Sequence, residues 1–348
     1  MRELGRGVYV RSILGRFLHW LIFRGVCVVL ALLAWANVAL CGPIHDAAFD
    51  GDLARVRVLL KRNPALAKSK DAAGSTPLHY AAREDHTAVA ALLLEYGADV
   101  NALDGEGATP LLEAMLDGKM DLVGLLLSKG ADTNVRDSNG HTPLHYAAHS
   151  GQMDVAEILL AHGADINAIN TADGWTPLHE AAGSCHIDMA EWLLAHGADV
   201  NAHVALRFGG DGGTPLHQAA HCSPEMVMFL LTKGAAVNVQ GPDGQTPLFF
   251  ALNRTDTTQL LLSKGADVNA MDKVGMTPLC KAAAAGNKKL VELLLAYGAD
   301  VNPGSYYEPL NGVLSGRYIM YTWSPLRLAL NGQHQDVAEL LRQHGGHE

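Results

Sequence analysis

Apolar residues recur along this chain in short runs of helical spacing, separated by polar turns at a nearly constant interval. One such stretch, TPLHYAAHSGQMDVAEILLAHGADIN, runs from Thr142 to Asn167 and holds a small-residue run followed by a second run, VAEILL. Apolar positions three and four residues apart lie on one face of a helix. A glycine follows each run, at Gly151 and Gly163, and glycine interrupts or ends helices. The pattern predicts two short helices followed by a turn-rich connector.

Close copies of this stretch start at Thr76, as TPLHYAAREDHTAVAALLLEYGADVN, and at Thr176, as TPLHEAAGSCHIDMAEWLLAHGADVN. A fixed period of this kind indicates a repeat array. Successive steps are 34, 33, 33, 34, 38, 32, 31 and 47 residues, so the chain holds nine units. We number the repeats one to nine by their starts near Gly42, Thr76, Thr109, Thr142, Thr176, Thr214, Thr246, Thr277 and Ser324. We expect a repeat domain over residues 42–348.

The start of each unit has a physical explanation. Threonine is a good N-cap, and proline at the next position is already set for the first helical turn. Helices of two or three turns are marginal alone, so each unit must bury its apolar face against the next unit. The sequence therefore predicts an all-α repeat solenoid.

The combination of Thr-Pro-Leu-His-x-Ala-Ala with Gly-Ala-Asp-Val-Asn resembles the ankyrin repeat, whose period is about 33 residues. The resemblance covers some 300 residues. It implies paired antiparallel helices with a β-hairpin finger at right angles to them. It also implies a concave face made of finger tips and first helices, which binds other macromolecules, usually proteins, without catalysis or a cofactor.

The first 41 residues have a different character. Residues 1–24 carry five arginines and one glutamate, and the nearly uncharged run GVCVVLALLAWANVALCG follows from Gly25. A basic region ahead of an apolar run directs the following domain across a membrane. Signal-peptidase cleavage near Ala34–Ala36, retention as an anchor, and lipidation at Cys41, although Leu40 precedes it, all remain open, as does a buried helix on the first repeat. We expect an exported domain, periplasmic or held at the outer face of the inner membrane.

Charge excludes one class of partner. The net charge is −10 for the whole chain and +4 for residues 1–24, which leaves −14 for the rest. An acidic body lacks the electrostatic footprint that nucleic-acid binding requires. We therefore expect protein partners and no nucleic acid, with membrane contact only through the N-terminal segment.

Two groups of histidine and cysteine residues are candidate metal ligands. His79, His145, His179 and His217 share one repeat position, which favours a structural role within the Thr-Pro-Leu-His signature. A second group lies at the ends of first helices: His149, Cys185, His186, His221 and Cys222. Adjacent repeats stack about 10 Å apart, whereas zinc ligands must lie within about 2.3 Å of the ion. We expect no metal site, and the same spacing argues against a disulfide between Cys185 and Cys222.

Candidate partner-binding residues follow from position in the repeat, at the finger and at the end of each first helix. Their chemistry changes from repeat to repeat while the frame stays constant. They are Arg83, Glu84, Leu116, Asp117, His141, His149, Trp175, Ser184, His221, Gln245 and Arg254.

Two insertions in the finger region depart from the period. One is HVALRFGGDGG after Asn201, and the other is PGSYYEPLNGVLSGRYIMYTW over Pro303–Trp323. Long connections without structure of their own are usually functional or disordered, and the aromatic content of the second argues against plain disorder. Tyr306 and Tyr307 are therefore candidate partner contacts, whereas Trp323 is suited to covering the last repeat.

The sequence thus predicts a bacterial-type, exported, non-catalytic scaffold for protein–protein interaction. Two alternatives stay open: an inhibitor or immunity-type protein that blocks an enzyme or toxin, and a metal-dependent enzyme built on the His/Cys group. No nucleophile elbow, phosphate loop or metalloprotease motif supports an enzyme.

Overall fold

A computed structural model describes residues 42–115, 120–203, 212–303, 306–309, 318–321 and 324–347. The predictions for residues 1–41, for Leu116 and Asp117, for most of the first insertion and for Trp323 lie outside the described residues. The chain divides into two compact units after Gly105.

Every repeat contributes two helices, and a short 3-10 helix, Pro64–Lys68, follows the first pair. The first helices are α1 Pro43–Phe49, α3 Pro77–Arg83, α5 Pro110–Met115, α7 Pro143–Ser150, α9 Pro177–Gly183, α11 Pro215–Cys222, α13 Pro247–Ala251, α15 Pro278–Ala284 and α17 Pro325–Asn331. The second helices are α2 Leu53–Arg62, α4 Thr87–Glu95, α6 Met120–Ser128, α8 Met153–Ala161, α10 Ile187–Ala195, α12 Pro224–Thr232, α14 Thr255–Ser263, α16 Lys288–Ala296 and α18 Gln335–Gln343.

The recurrent histidine ties each first helix to its surroundings. In the fourth repeat the backbone N–H of Thr142 donates to Nδ1 of His145, and Nε2–H of His145 donates to the carbonyl oxygen of Trp175, 2.9 Å away. His179 and His217 make the same pair of contacts in the next two repeats. The structural role expected for this histidine is confirmed.

The core lies between the two layers of helices. Leu144, Ala147 and Ala148 of α7, with Val155 and Leu159 of α8, are at most 1% exposed. First helices pack against first helices, as α9 does against α7 and α11. The alanine pairs permit this close approach because they carry no side chain beyond Cβ.

An asparagine ladder joins consecutive repeats at the base of the fingers. The side chain of Asn201 donates to the carbonyl oxygen of Gly234 and accepts from the N–H of Ala236 at 2.8 Å. The same reciprocal bridge is made by Asn134, Asn167, Asn238, Asn269 and Asn302. This residue is the last of the Gly-Ala-Asp-Val-Asn motif, and it fixes the spacing of the stack.

The second insertion contains a β-hairpin. Strands β1 Tyr306–Pro309 and β2 Tyr318–Tyr321 pair antiparallel, with Tyr306 opposite Tyr321 and Pro309 opposite Tyr318. The four residue pairs form a regular antiparallel ladder. No helix in the described part of the chain combines the length and the apolar character needed to cross a bilayer.

Candidate protein-interaction face

The ends of the first helices present most of the exposed candidates. Arg83 and Glu84 are exposed, as are His149, His221 and Arg254, while Ser184 is half-buried. These side chains follow segments such as Leu144–Ala148, in which the leucine and the alanine pair are buried, and the exposed positions differ in charge and size.

Three of the predicted partner-binding residues, Trp175, Gln245 and His141, make packing or hydrogen-bond contacts within the protein instead. Trp175 was expected on the face, but it is only 8% exposed and lies in the core. Its carbonyl oxygen accepts the His145 hydrogen bond, as that of Gln245 accepts from His217. His141 is mostly covered by acidic neighbours, because the finger turns its side chain inward. The position before Thr is therefore partly structural, which spacing alone did not reveal.

A finger carboxylate and a helix side chain form a recurring pair. Oδ2 of Asp137 accepts from the hydroxyl of Tyr146 at 2.6 Å, and its Oδ1 accepts from two backbone N–H groups of the same finger. Asp71 and Tyr80 repeat this arrangement. In the eighth repeat Lys281 takes the place of tyrosine, with Nζ 3.2 Å from Oδ2 of Asp272.

In the fifth repeat both residues of this pair are replaced by other residue types. Asn170 stands where the fingers of these three repeats have Asp71, Asp137 and Asp272, and Glu180 stands where their helices have Tyr80, Tyr146 and Lys281. Oδ1 of Asn170 still accepts from the backbone N–H groups of Asp173 and Trp175, so the turn is kept. The amide of Asn170 is neutral, so it does not repel the buried carboxylate of Glu180 as an aspartate at this position would.

The side chain of Glu180 points toward the fourth repeat, where it contacts two histidines. Its Oε1 lies 3.6 Å from Nε2 of His141 and its Oε2 lies 3.2 Å from Nδ1 of His149. Burial raises the pKa of Glu180, but the hydrogen bonds to His141 and His149 and their positive charge lower it to about 2. The carboxylate is thus ionised although it is 7% exposed.

His141 lies between two carboxylates. Burial lowers its pKa, but the contacts with Asp137 and Glu180 outweigh burial and raise the pKa to about 9. The amide nitrogen of Asn170, 2.9 Å from Nε2, favours the neutral ring instead. Two nearby negative charges in a poorly solvated site outweigh one neutral hydrogen bond, so we assign the imidazolium form at neutral pH.

This arrangement does not form a catalytic triad. Oγ of Ser184 is 3.1 Å from Nδ1 of His149, the same nitrogen that faces Glu180. A triad needs the nucleophile and the acid on opposite ring nitrogens, so that one orients the base and the other gives up a proton. Within the described residues no group of three or more His, Cys, Asp or Glu side chains is placed to hold a metal ion.

The expectation against a disulfide was wrong. Cys185 and Cys222 are joined, with their Cα atoms 5.7 Å apart. The estimate of about 10 Å applies to helix axes, whereas these cysteines lie at helix ends that face one another between the axes. Their separation of 37 residues is close to one repeat, a signal that was available in the sequence.

Glu180 and Asn170 were also absent from the expected site. Their signal in the sequence is a double change relative to the second, fourth and eighth repeats, in which the finger aspartate becomes Asn170 and the facing helix residue becomes Glu180.

A profile described as "Ankyrin repeats (3 copies)" matches residues 18–104, 44–137, 111–204, 202–272 and 253–348. This chain belongs to the ankyrin-repeat family. The capping histidines, the asparagine ladder and the paired helices are thus those of an ankyrin solenoid, and the expected fold is confirmed.

Curated relatives share only short segments of the ankyrin array. The chain is 48% identical over 58 residues to the E3 ubiquitin-protein ligase XBAT33 of Arabidopsis thaliana, which covers 16% of this chain and 11% of that protein. It is 46% identical over 61 residues to human Ankyrin repeat domain-containing protein 39, covering 17% of this chain and 32% of that protein. The chain therefore spans well under two thirds of the relatives it matches.

Proposed function

We propose that this chain is an exported ankyrin-repeat scaffold that binds another protein through the exposed ends of its first helices, without catalysing a reaction. The observation that carries the proposal is the contrast at these ends. The capping histidines His79, His145, His179 and His217 are buried alike, whereas the exposed residues at the ends of the first helices include Arg83, Glu84, His149, His221 and Arg254. Residues without a packing role and with changing chemistry are suited to recognition.

The net charge of the chain favours one class of partner. Residues 25–348 carry −14, so association with a neutral or basic protein surface is favoured over an acidic one. The ligase activity in the name of the Arabidopsis relative is not carried over, because the shared 58 residues are ankyrin repeats.

Site-specific photocrosslinking in the native host tests this interaction. A photoreactive residue at His149 should yield an adduct with a partner protein, because this side chain is exposed on the proposed face. The matched control is Glu157, which is exposed on second helix α8. An adduct at 157 with none at 149 would place the interface on the opposite layer of helices and overturn the proposal.

Export is the second part of the proposal. It is supported by the basic and apolar order of residues 1–41 and by the Cys185–Cys222 disulfide, since disulfides persist mainly in oxidising compartments. We expect activity from a reporter that is fused at residue 60 and that works only outside the cytoplasm. Activity of a cytoplasm-specific reporter at that position would contradict export. The mass of the mature N-terminus then distinguishes cleavage, retention and lipidation at Cys41.

A further inference from the structure

Four of the eight junctions between first helices carry a polar tie. A side chain at the start of one repeat's second helix donates to a carbonyl oxygen at the end of the preceding repeat's first helix, where helical hydrogen bonds run out. The ties are His86 to Phe49, Gln152 to Met115, Arg254 to His221 and His334 to Ala284, at 2.9, 3.2, 3.4 and 3.2 Å.

The residues that make these ties are the N-caps of their second helices. At the junction between the fifth and sixth repeats the N-cap is Ser223, which alone separates α11 from α12. Its short side chain accepts from the backbone N–H of Met226 in its own helix. The disulfide between Cys185, just beyond α9, and Cys222, the last residue of α11, lies at this junction.

Cys185 has an unfavourable backbone conformation. Its φ is +65°, in the left-handed region that side chains rarely adopt. Glycine occupies the same position in three other repeats, as Gly51, Gly151 and Gly286, with φ of 71°, 69° and 69°. Asp85 and Gln333 hold this position in the second and ninth repeats, with φ of 60° and 61°, so Cys185 carries a backbone cost that two other side chains also bear.

The disulfide is also open to solvent. Cys185 is exposed and Cys222 is half-buried, whereas the unpaired Cys280 is buried. Thiol–disulfide exchange requires access of an attacking thiolate to one sulfur, and exposed disulfides are the labile ones. A small dithiol or the active site of a thiol oxidoreductase can therefore reach this bond in the folded protein.

We propose that Cys185 and Cys222 form a reversible redox site, closed and opened by a thiol–disulfide oxidoreductase, that links two first helices at a junction where Ser223 holds the N-cap position. On closure the two thiols lose two protons and two electrons to a disulfide of the oxidoreductase, which leaves as a dithiol. Opening reverses this exchange, with a dithiol oxidoreductase as the reductant. This site goes beyond the proposed scaffold function, and its test needs no partner.

The redox state of this site bears directly on the interaction face. Ser184 precedes Cys185, and its Oγ lies 3.1 Å from Nδ1 of His149. Closure holds the end of α9 against α11 and thereby limits the freedom of Ser184. The reduced protein keeps the same side chains on a looser junction.

The first measurement is the state and accessibility of the bond. Full-length protein is equilibrated with oxidised glutathione, blocked with maleimide and digested without reductant. A linked peptide containing Cys185 and Cys222 is expected, and brief treatment of the folded protein with dithiothreitol should abolish it. Alkylation of both residues in the oxidised protein, or resistance of the link until the protein is unfolded, would overturn the proposal.

The second measurement compares unfolding midpoints in urea with and without reductant. The variants are Cys185→Ser, Cys185→Gly and Cys222→Ser. Oxidised native protein should have the highest midpoint, and reduction should bring it to the level of Cys222→Ser without shifting any variant. Cys185→Gly should exceed reduced native protein, because glycine accepts a φ of +65°. A native midpoint that reduction leaves unchanged would refute a stabilising link, and a Cys185→Gly midpoint at or below that of reduced native protein would refute the assigned backbone strain.

Discussion

Nδ1 of His149 lies 3.2 Å from Oε2 of Glu180, so an exposed histidine of one ankyrin repeat contacts a carboxylate that the next repeat buries. The contact connects the proposed interaction face to the interior of the array. His141 receives the other oxygen of the same carboxylate. Glu180 is therefore the shared partner of two histidines with very different exposure.

Replacement of Glu180 by Gln should affect both stability and titration. The variant loses a buried, charge-assisted interaction, and the free energy of unfolding should fall by about 1 to 3 kcal/mol. The pKa of His141 should fall from about 9 toward its ordinary value, because one of its two carboxylate neighbours is gone. Urea unfolding and an NMR titration of the ring protons measure these effects.

The matched control is His149→Ala, which removes only the exposed partner. Exposed ion pairs contribute about 0 to 1 kcal/mol, so its midpoint should stay near that of native protein. Equal midpoints for the two variants would contradict the central role of Glu180.

The buried capping histidines should make the array sensitive to mild acid. Burial lowers the pKa of His145, His179 and His217 to about 4 in the folded state, against about 6.5 in the unfolded chain. Between these values the unfolded state binds more protons, so stability is fully present above pH 6.5 and is lost as pH falls toward 4. Each histidine contributes at most about 3 kcal/mol to this loss.

Urea unfolding at pH 7, 5.5 and 4.5 checks this dependence. His217→Phe is the control, because Phe249 occupies the same position in the seventh repeat and is buried there. The variant should show a shallower loss of stability between pH 6.5 and 4. A slope identical to that of native protein would show that His217 does not titrate as assigned.

The contribution of His141 to stability should have the opposite dependence on pH. Its folded-state pKa of about 9 lies above the unfolded value, so its contribution is fully present below pH 6.5 and is lost as pH rises through 9. The stability of His141→Gln should therefore change less than that of native protein between pH 7 and 10. Parallel curves for the two proteins would count against an imidazolium between Asp137 and Glu180.

Two glycines test the repeat register. A Cβ at Gly163 or at Gly124 would meet no atom within 4 Å, so alanine is free of steric contact at both sites. Gly163 has a φ of +86° at the turn after α8, and Gly163→Ala should destabilise the array by about 1 to 2 kcal/mol. Gly124 lies inside α6, and Gly124→Ala should stabilise it by about 0.5 to 1 kcal/mol. Thermal or urea unfolding that shifted both variants in the same direction would contradict these assignments.

The hairpin finger should contribute to partner capture. Tyr306 and Tyr307 lie in β1, and tyrosine is enriched among residues that dominate binding energy. Their joint replacement by Ser should reduce the yield of crosslinked partner while leaving the melting temperature unchanged. Loss of stability, or full capture by the variant, would assign these residues to packing.

The sequence alone determined the repeat, the helix starts and the capping role of the histidines. These features depend on neighbours within one unit: threonine and proline begin a helix, and histidine three residues after threonine reaches back to it. Local interactions of this kind have the same geometry in every repeat, so a periodic pattern is enough to predict them.

Only the tertiary structure decided what happens between repeats. The turn of Glu180 toward His149, the burial of Trp175 and the link between Cys185 and Cys222 depend on contacts between residues 30 to 37 positions apart. An axis spacing of about 10 Å did not predict them, because side chains and helix ends project from the axes toward one another. The period places such residues in adjacent units. Whether they touch depends on backbone turns such as the left-handed turn at Cys185. One residue more or less in a loop can alter such a turn.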